Sequence, residues 1–247
     1  MDEPPPPAGE VGPVGASPEP PAKGESGAFE EFVARRLPLV ALVFLAEVVA
    51  LTVISTSAFF PGESGTYGQQ AHNLSDMFSN MTASQQVATI FTQNFTVSMA
   101  ELIPGIGIAF FGYSIYVTAR SLEGIAATQG IPSTLALVTL LLVPSTWAEL
   151  PAYSIAGVEN AFLVYAIYRA AKGAKERLAR EVRSLVAAVV LIAVELAVAD
   201  LLEVGEIQFR DYSLVLWVPF VVIAYLAVRL YRRARLGAAT SAGTGLA

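Results

Sequence analysis

The chain has 247 residues, of which 54% are hydrophobic and only 15% are charged. Soluble domains carry charge on about a quarter of their residues, so this composition predicts long apolar stretches. The chain has no cysteine and a single histidine, which excludes disulfides, thiol catalysis and a multi-histidine metal site. Its net charge of −6 gives no sign of the basic surface that nucleic acids require. We therefore expect no cofactor, no metal site and no nucleic-acid partner.

Both ends of the chain differ in composition from its centre. Residues 1–30 are acidic and rich in proline, with four prolines in a row from Pro4 to Pro7. A secretory signal would instead need a basic start and an apolar run. Because this segment has few bulky apolar side chains, we predict a disordered cytoplasmic tail. Residues 31–236 are predicted to form a transmembrane helical domain, and 237–247 a flexible C-terminal tail.

The apolar stretches predict an all-α fold, a polytopic bundle of about six transmembrane spans. A helix needs about 20 apolar residues to cross a bilayer core of ~30 Å. Polar residues between the first two stretches predict a loop over 61–88. Proline breaks helices, so broken or re-entrant helices are expected near Pro104 and Pro151. Two full spans and a re-entrant hairpin both remain open for 131–171. The predicted spans are 37–60, 89–119, 131–147, 150–170, 184–202 and 212–230.

Basic residues predict the orientation, because cytoplasmic loops of membrane proteins are enriched in lysine and arginine. Six spans with both termini in the cytoplasm leave only Arg210 outside among the 15 basic residues. Arg120 follows the second span and is placed inside. Three N-x-S/T triplets, at Asn73, Asn80 and Asn94, fall in or beside the segment placed outside, and their glycosylation stays open. The prediction is a multi-pass protein of the cytoplasmic membrane.

Several carboxylates interrupt the apolar stretches, where a charge is costly. Glu101 and Glu149 each stand shortly before a proline and a group of small residues. Paired segments interrupted by proline and glycine can mark a binding site near the middle of the membrane. The alternative is that each glutamate satisfies free amides at a helix start or lies at the water interface. The candidate intramembrane polar site comprises Asn94, Glu101, Pro104, Gly105, Gly107, Glu149, Pro151, Glu159 and Glu195.

Three acids within the apolar stretches allow two interpretations. Glu47, Glu195 and Asp200 either form an ion or proton site, or are single buried acids bonded to a neighbouring helix. Motifs of zinc proteases, phosphate-binding loops and serine hydrolases are absent from the sequence. We therefore predict a non-enzymatic protein without catalytic residues, and any ATPase activity would come from a separate subunit.

Two motifs resemble those of the stage II sporulation protein M family, over roughly residues 87–170. The first is IFTQNFTVS at 90–98 followed by GIG at 105–107, and the second is AELPAYSIAG at 148–157. The family often has Pro-His-Gly before the glutamate, whereas Ser145 and Thr146 follow Pro144 here, so no role of that histidine carries over. The matching positions are Asn94, Ser98, Gly105, Glu149, Pro151, Ala156 and Gly157.

The resemblance implies a multi-span membrane protein without known catalysis of its own. The namesake of the family works with cell-wall-degrading partners during engulfment. It therefore favours a scaffold or subunit of a cell-envelope complex, with membrane-protein partners or as a homo-oligomer. The alternative is a permease-like transporter subunit, similar to the membrane subunits of some ATP-binding-cassette exporters, with Glu101 and Glu149 at its site. Substrate, partner and biological process stay open.

Overall fold

A computed structural model describes residues 26–57 and 64–209 continuously, and short pieces between 215 and 233. Every regular element in these residues is helical, which confirms the predicted all-α class. The predicted tails lie outside the described residues, except that the first helix already begins at Ser26. The two continuous ranges contain α1 (Ser26–Thr56), α2 (Ser64–Ser79), α3 (Ala83–Glu101), α4 (Ile106–Gln129), α5 (Ser133–Leu142), α6 (Pro144–Ala171) and α7 (Lys175–Gln208).

The described residues contain three helices that are long and apolar enough to cross a membrane, over Arg36–Thr56, Pro144–Ala171 and Lys175–Gln208. Helices α4 and α5 qualify as a fourth crossing only if they form one span bent by 115°. Exposed valines recur every fourth residue along α7, from Val182 to Val194, and such a stripe suits contact with lipid. The predicted span over 212–230 is described only in short helical pieces with gaps between them.

Helices α6 and α7 form an antiparallel pair, joined by a turn at Gly173 with φ of 100°, a conformation that favours glycine. Small residues, among them Ala152 and Ala156 of α6 and Ala188 of α7, lie in the core and allow the helices to approach closely. Helix α1 packs beside α6, and its Leu51 shares a second core cluster with Leu150. These three helices form the framework on which the rest of the described chain packs.

Helices α3 and α4 form a hairpin that packs on α6 through Glu101 and Gly107, while residues 103–106 at its tip are exposed. Gly105, with φ of 82°, precedes α4 and reverses the chain. A Cβ atom on Gly107 would lie 1.8 Å from the carbonyl oxygen of Glu101, so only glycine fits there. Asn160 of α6 donates from Nδ2 to the carbonyls of Glu101 and Ile103, at 2.6 Å each. The predicted break near Pro104 is confirmed.

This hairpin returns the chain to the C-terminal end of α1. Ile115 and Ala119 of α4 share a core cluster with Leu51 of α1. Leu51 lies about 22 Å along α1 from Arg36, at 1.5 Å per residue. Arg36 and Arg120 therefore lie towards opposite ends of α1. An α1 that crosses a membrane would place them on opposite sides, in contrast to the prediction that both are cytoplasmic. The side on which each arginine lies stays a prediction.

Two sequence predictions about the helices are wrong. The predicted loop over 61–88 contains α2 and the first turn of α3, where Thr82 and Gln85 form a capping box. Helix α2 packs along the C-terminal half of α4, so tightly that a Cβ on Gly68 would lie 2.8 Å from the carbonyl oxygen of Gly124. A polar helix of this kind is stabilised by tertiary packing, which local composition does not reveal.

The second error concerns the predicted span 131–147 and the broken helix near Pro151, whereas the predicted span 150–170 lies within α6. Helix α5 has only 10 residues, and α6 begins at Pro144 and continues through Pro151. Proline is favoured at the first helical position, where its missing N–H costs nothing. Pro144 therefore marks the start of the helix, and α6 accommodates Pro151 in its interior without ending.

Candidate functional site

A cavity of about 470 Å³ lies among α1, α3, α4 and α6, with contributions from α5 and α7. Its lining residues on α6 run from Thr146 to Tyr153, in the half of the bundle nearest the C-terminal end of α1. Three carboxylates line it, those of Glu47, Glu149 and Glu203, and no lysine, arginine or histidine of the described chain does. Neutral polar side chains complete the polar part of the wall, namely Gln93, Asn94, Ser114, Thr118, Ser121 and Thr146.

Glu47 of α1 is the most buried of the three acids, with only 3% of the residue exposed. Its Oε2 accepts a hydrogen bond of 2.8 Å from the hydroxyl of Ser154 on α6. Its Oε1 accepts none from any described residue. A buried carboxylate with one unsatisfied oxygen is costly unless something in the cavity bonds to it. Glu47 therefore presents an acceptor to the cavity.

The other two lining acids are less constrained. Glu149 accepts a hydrogen bond of 2.7 Å from the hydroxyl of Tyr153, one turn further along α6. Glu203 of α7 makes no hydrogen bond or ion pair within the described chain. Both residues are half-buried. The cavity is thus lined by carboxylate oxygens that other protein groups do not occupy.

Two fully buried acids lie directly behind the cavity wall. Glu101 Oε1 accepts a hydrogen bond of 2.7 Å from Ser114, and Asp200 Oδ1 accepts one of 3.0 Å from Asn94. Ser114 and Asn94 line the cavity themselves, so each connects a buried acid to it. The second oxygen of each acid has no hydrogen-bond partner among the described residues. The wall therefore has a second layer of acidic side chains behind it.

The predicted site residues fall into five places. Asn94 and Glu149 line the cavity and Glu101 lies behind it, whereas Pro104, Gly105 and Gly107 form the tip of the hairpin. Pro151 lies inside α6. Glu159 belongs to an ion cluster and Glu195 is a half-buried acid on α7 with an unpartnered Oε2.

Sequence reasoning left Glu47, Glu203 and the aromatic residues of the wall out of the site. Glu47 gave a usable signal, because it is a lone carboxylate in the middle of an apolar stretch. Glu203 and Tyr153 lie at or next to the ends of the predicted spans 184–202 and 150–170, where charged and aromatic residues are common. Their common position beside Glu149 depends on how α1, α6 and α7 pack, which the sequence does not display.

A different acidic group lies towards the N-terminal end of the α1 span. Arg36 donates to Glu159 at 3.0 Å and also to Glu181 and Ser184. Its guanidinium lies 4.5 Å from the centre of the Phe162 ring. All of these side chains except those of Ser184 and Phe162 belong to buried residues. This ion cluster joins α1, α6 and α7 through one guanidinium that two carboxylates share.

The arrangement of the acids does not suit a protein-bound metal ion. No group of three or more Asp, Glu or His side chains among the described residues is close enough to hold one. The three lining carboxylates stand on three different helices around a large cavity. They can therefore contact different parts of one large ligand, or different ligands, more readily than they can converge on one ion.

Comparisons with family models, with curated proteins and with solved structures found no match for this chain. The resemblance to the stage II sporulation protein M family therefore stays a prediction.

Proposed function

We propose that this chain is a permease-like subunit of a membrane transporter, whose cavity accepts a positively charged solute. The observation that carries the proposal is the cavity itself, lined by Glu47, Glu149 and Glu203 and by no basic residue of the described chain. Ionisable side chains within membrane spans are costly and are typical of ion and substrate pathways. A cationic solute would compensate charges that the described protein groups leave unpaired.

The position of the cavity supports an arrangement that is open towards one end. Gln93, Tyr113 and Thr118 of its wall are exposed at the surface of the described bundle, and Tyr113 is 58% exposed. Towards the other end, the Arg36 ion cluster joins α1, α6 and α7, and Asn160 of α6 holds the turn of the α3–α4 hairpin. With both termini in the cytoplasm, the open end faces outwards. Release on the inner side requires the helices to separate around Arg36.

Helices α6 and α7 extend well beyond what one crossing requires. They have 28 and 34 residues, against about 20 for a bilayer core. Their connecting turn carries a basic cluster, which in the proposed orientation lies in the cytoplasm, where a separate ATPase subunit would dock. A neighbouring ATPase gene would support this arrangement. The cluster comprises Arg169, Lys172, Lys175, Arg177, Arg180 and Arg183.

The direct experiment measures cation flux in proteoliposomes that contain the purified chain, with and without a co-purified ATPase. Gradients of protons, sodium, ammonium and organic cations are applied in turn, and charge movement is recorded on a solid-supported membrane. Glu149→Gln should abolish the signal while leaving Tm within a few degrees, since the amide oxygen still accepts from Tyr153. Glu101→Gln should reduce the flux signal, because Glu101 is connected to the cavity through its hydrogen bond with Ser114.

Glu176→Gln is the matched control, because it removes the same charge from an exposed position near the α6–α7 turn. It should transport like the wild type. The proposal fails if no cation moves under any of these conditions, or if Glu149→Gln and Glu101→Gln act only by unfolding the chain.

A scaffold or subunit of a cell-envelope complex is the second candidate function. It is favoured by α2, a polar helix that packs on α4 and leaves Leu74 and Met77 about 40% exposed. Such a surface suits contact with a partner outside the bilayer. Purification in mild detergent should then recover a stable partner, and replacing Leu74 and Met77 by aspartate should release it. Recovery of the isolated chain alone would count against this candidate.

A further inference from the structure

Aromatic rings share the cavity wall with the carboxylates. Phe110 and Tyr113 lie on α4 with ring centroids 6.3 Å apart and planes tilted by 55°. Tyr153 stands beside Glu149 and donates its hydroxyl to it. Aromatic faces attract cations, and most strongly where water is partly excluded. The same cavity therefore offers two kinds of cation contact, carboxylate and aromatic.

The remaining wall is apolar to a large extent. Leu51, Val97, Ile115, Leu140 and Leu150 line it together with the aromatic rings. Its volume of about 470 Å³ is far larger than a single inorganic ion needs and lies within the roughly 300–1,000 Å³ of small-molecule sites. A small hydrated cation would leave these apolar side chains in contact with water. A ligand with apolar groups would cover them.

We infer that the cavity binds an organic cation with substantial apolar groups, such as an aryl- or alkyl-substituted ammonium or phosphonium ion. Glu47, through its free Oε1, and Glu149 carry the charge contact, and Tyr113 packs against the apolar part of the ligand. This inference rests on the proposed function, since it names the class of solute that the permease would take. The spread of the acids around the wall suits a delocalised or bulky positive charge better than a compact one.

The experiment is equilibrium binding of tetraphenylphosphonium to the full chain in lipid nanodiscs. Tetraphenylborate is the matched probe, because it has nearly the same size and shape but the opposite charge. We expect saturable binding of tetraphenylphosphonium, none of tetraphenylborate, and little competition from tetramethylammonium, sodium or magnesium. Equal binding of both tetraphenyl ions, or no saturable binding of the cation, would overturn the inference.

Variants then locate the site. Glu47→Gln and Glu149→Gln should each weaken binding by about tenfold, which corresponds to loss of one ion contact of ~1.4 kcal/mol. Tyr113→Ala should weaken it severalfold, and Tyr113→Phe should retain it because the ring remains. Tyr113 is largely exposed, so its replacement does not threaten the fold. Binding that is unchanged in all three weakening variants would show that the probe sits elsewhere, and the inference would fail.

Flux measurements separate failure of this inference from failure of the proposed function. Flux of a small cation that depends on Glu149, without binding of tetraphenylphosphonium, would refute the organic-cation class and leave the permease proposal standing. Saturable binding that depends on Glu47 and Glu149, without any flux, would support the ligand class and refute the permease. Absence of both would refute both.

Discussion

Acidic side chains lie towards both ends of the bundle, and the two groups differ in their partners. Glu159 and Glu181 each form an ion pair with Arg36. Glu47, Glu149 and Glu203, in the other half, have only hydroxyl partners or none among the described residues. The difference indicates that the first group joins helices, whereas the second is available to a ligand. Burial of an acid alone would not distinguish the two roles.

The two groups of acids lie towards opposite ends of the bundle. The largest expected effect is that these two ends lie on opposite sides of the membrane. The chain has no native cysteine, so single cysteines report accessibility cleanly. Ala127→Cys beyond Arg120 and Lys175→Cys at the α6–α7 turn, both exposed positions, should be labelled by an impermeant maleimide from opposite sides. This all-or-none result follows from the α3–α4 hairpin. Labelling of both from one side would show that α4 does not return the chain to the C-terminal end of α1.

The next largest effect is expected at the ion cluster. Arg36→Ala removes the cation and leaves two buried carboxylates, which should destabilise the protein by about 3–5 kcal/mol. Thermal unfolding in detergent, followed by circular dichroism, measures the change. Arg177→Ala is the control. This side chain is 38% exposed and lies as far as 4.0 Å from Glu181, so its loss should cost at most about 0.5 kcal/mol. Similar melting temperatures for the two variants would refute the central role of Arg36.

The hairpin tip should respond to a single added methyl group. A Cβ at Gly107 meets the Glu101 carbonyl and the Asn160 amide, so Gly107→Ala should cost about 1–3 kcal/mol or more. Gly112→Ala, on the same helix with no atom within 4 Å of the added Cβ, should instead be neutral or stabilising by about 0.5–1 kcal/mol. Folded yield and Tm of the two variants are compared. Equal effects would mean that the close contact at the tip is not made.

The smallest expected changes in stability distinguish two neighbouring acids of α7. Glu206 accepts from the backbone N–H of Ser145 at 3.1 Å and from its hydroxyl at 2.7 Å, and so anchors the start of α6. Glu206→Gln keeps only one acceptor oxygen and should lose about 0.5–1.5 kcal/mol. Glu203→Gln breaks no hydrogen bond and should change stability by less than about 0.5 kcal/mol, while altering cation binding. Destabilisation by Glu203→Gln comparable to that of Glu206→Gln would contradict the division between anchoring and ligand-facing acids.

The sequence by itself determined that the chain is helical and apolar enough for a membrane, and that a break lies near Pro104. These features are local, since they depend on runs of apolar residues and on the backbone limits of proline and glycine. It also singled out Glu101 and Glu149 as unusual, because a carboxylate in an apolar run stands out at any position.

Only the tertiary structure decided the direction of the chain after that break, and with it the end of the bundle at which Arg120 lies. The same holds for the grouping of the acids. Glu47 lies beside α6, at Ser154, through packing of helices more than 100 residues apart in sequence, and Glu159 became a partner of Arg36 in the same way. Helix packing is set by contacts between distant side chains, so no pattern within one segment reveals which acid is neutralised and which faces a cavity.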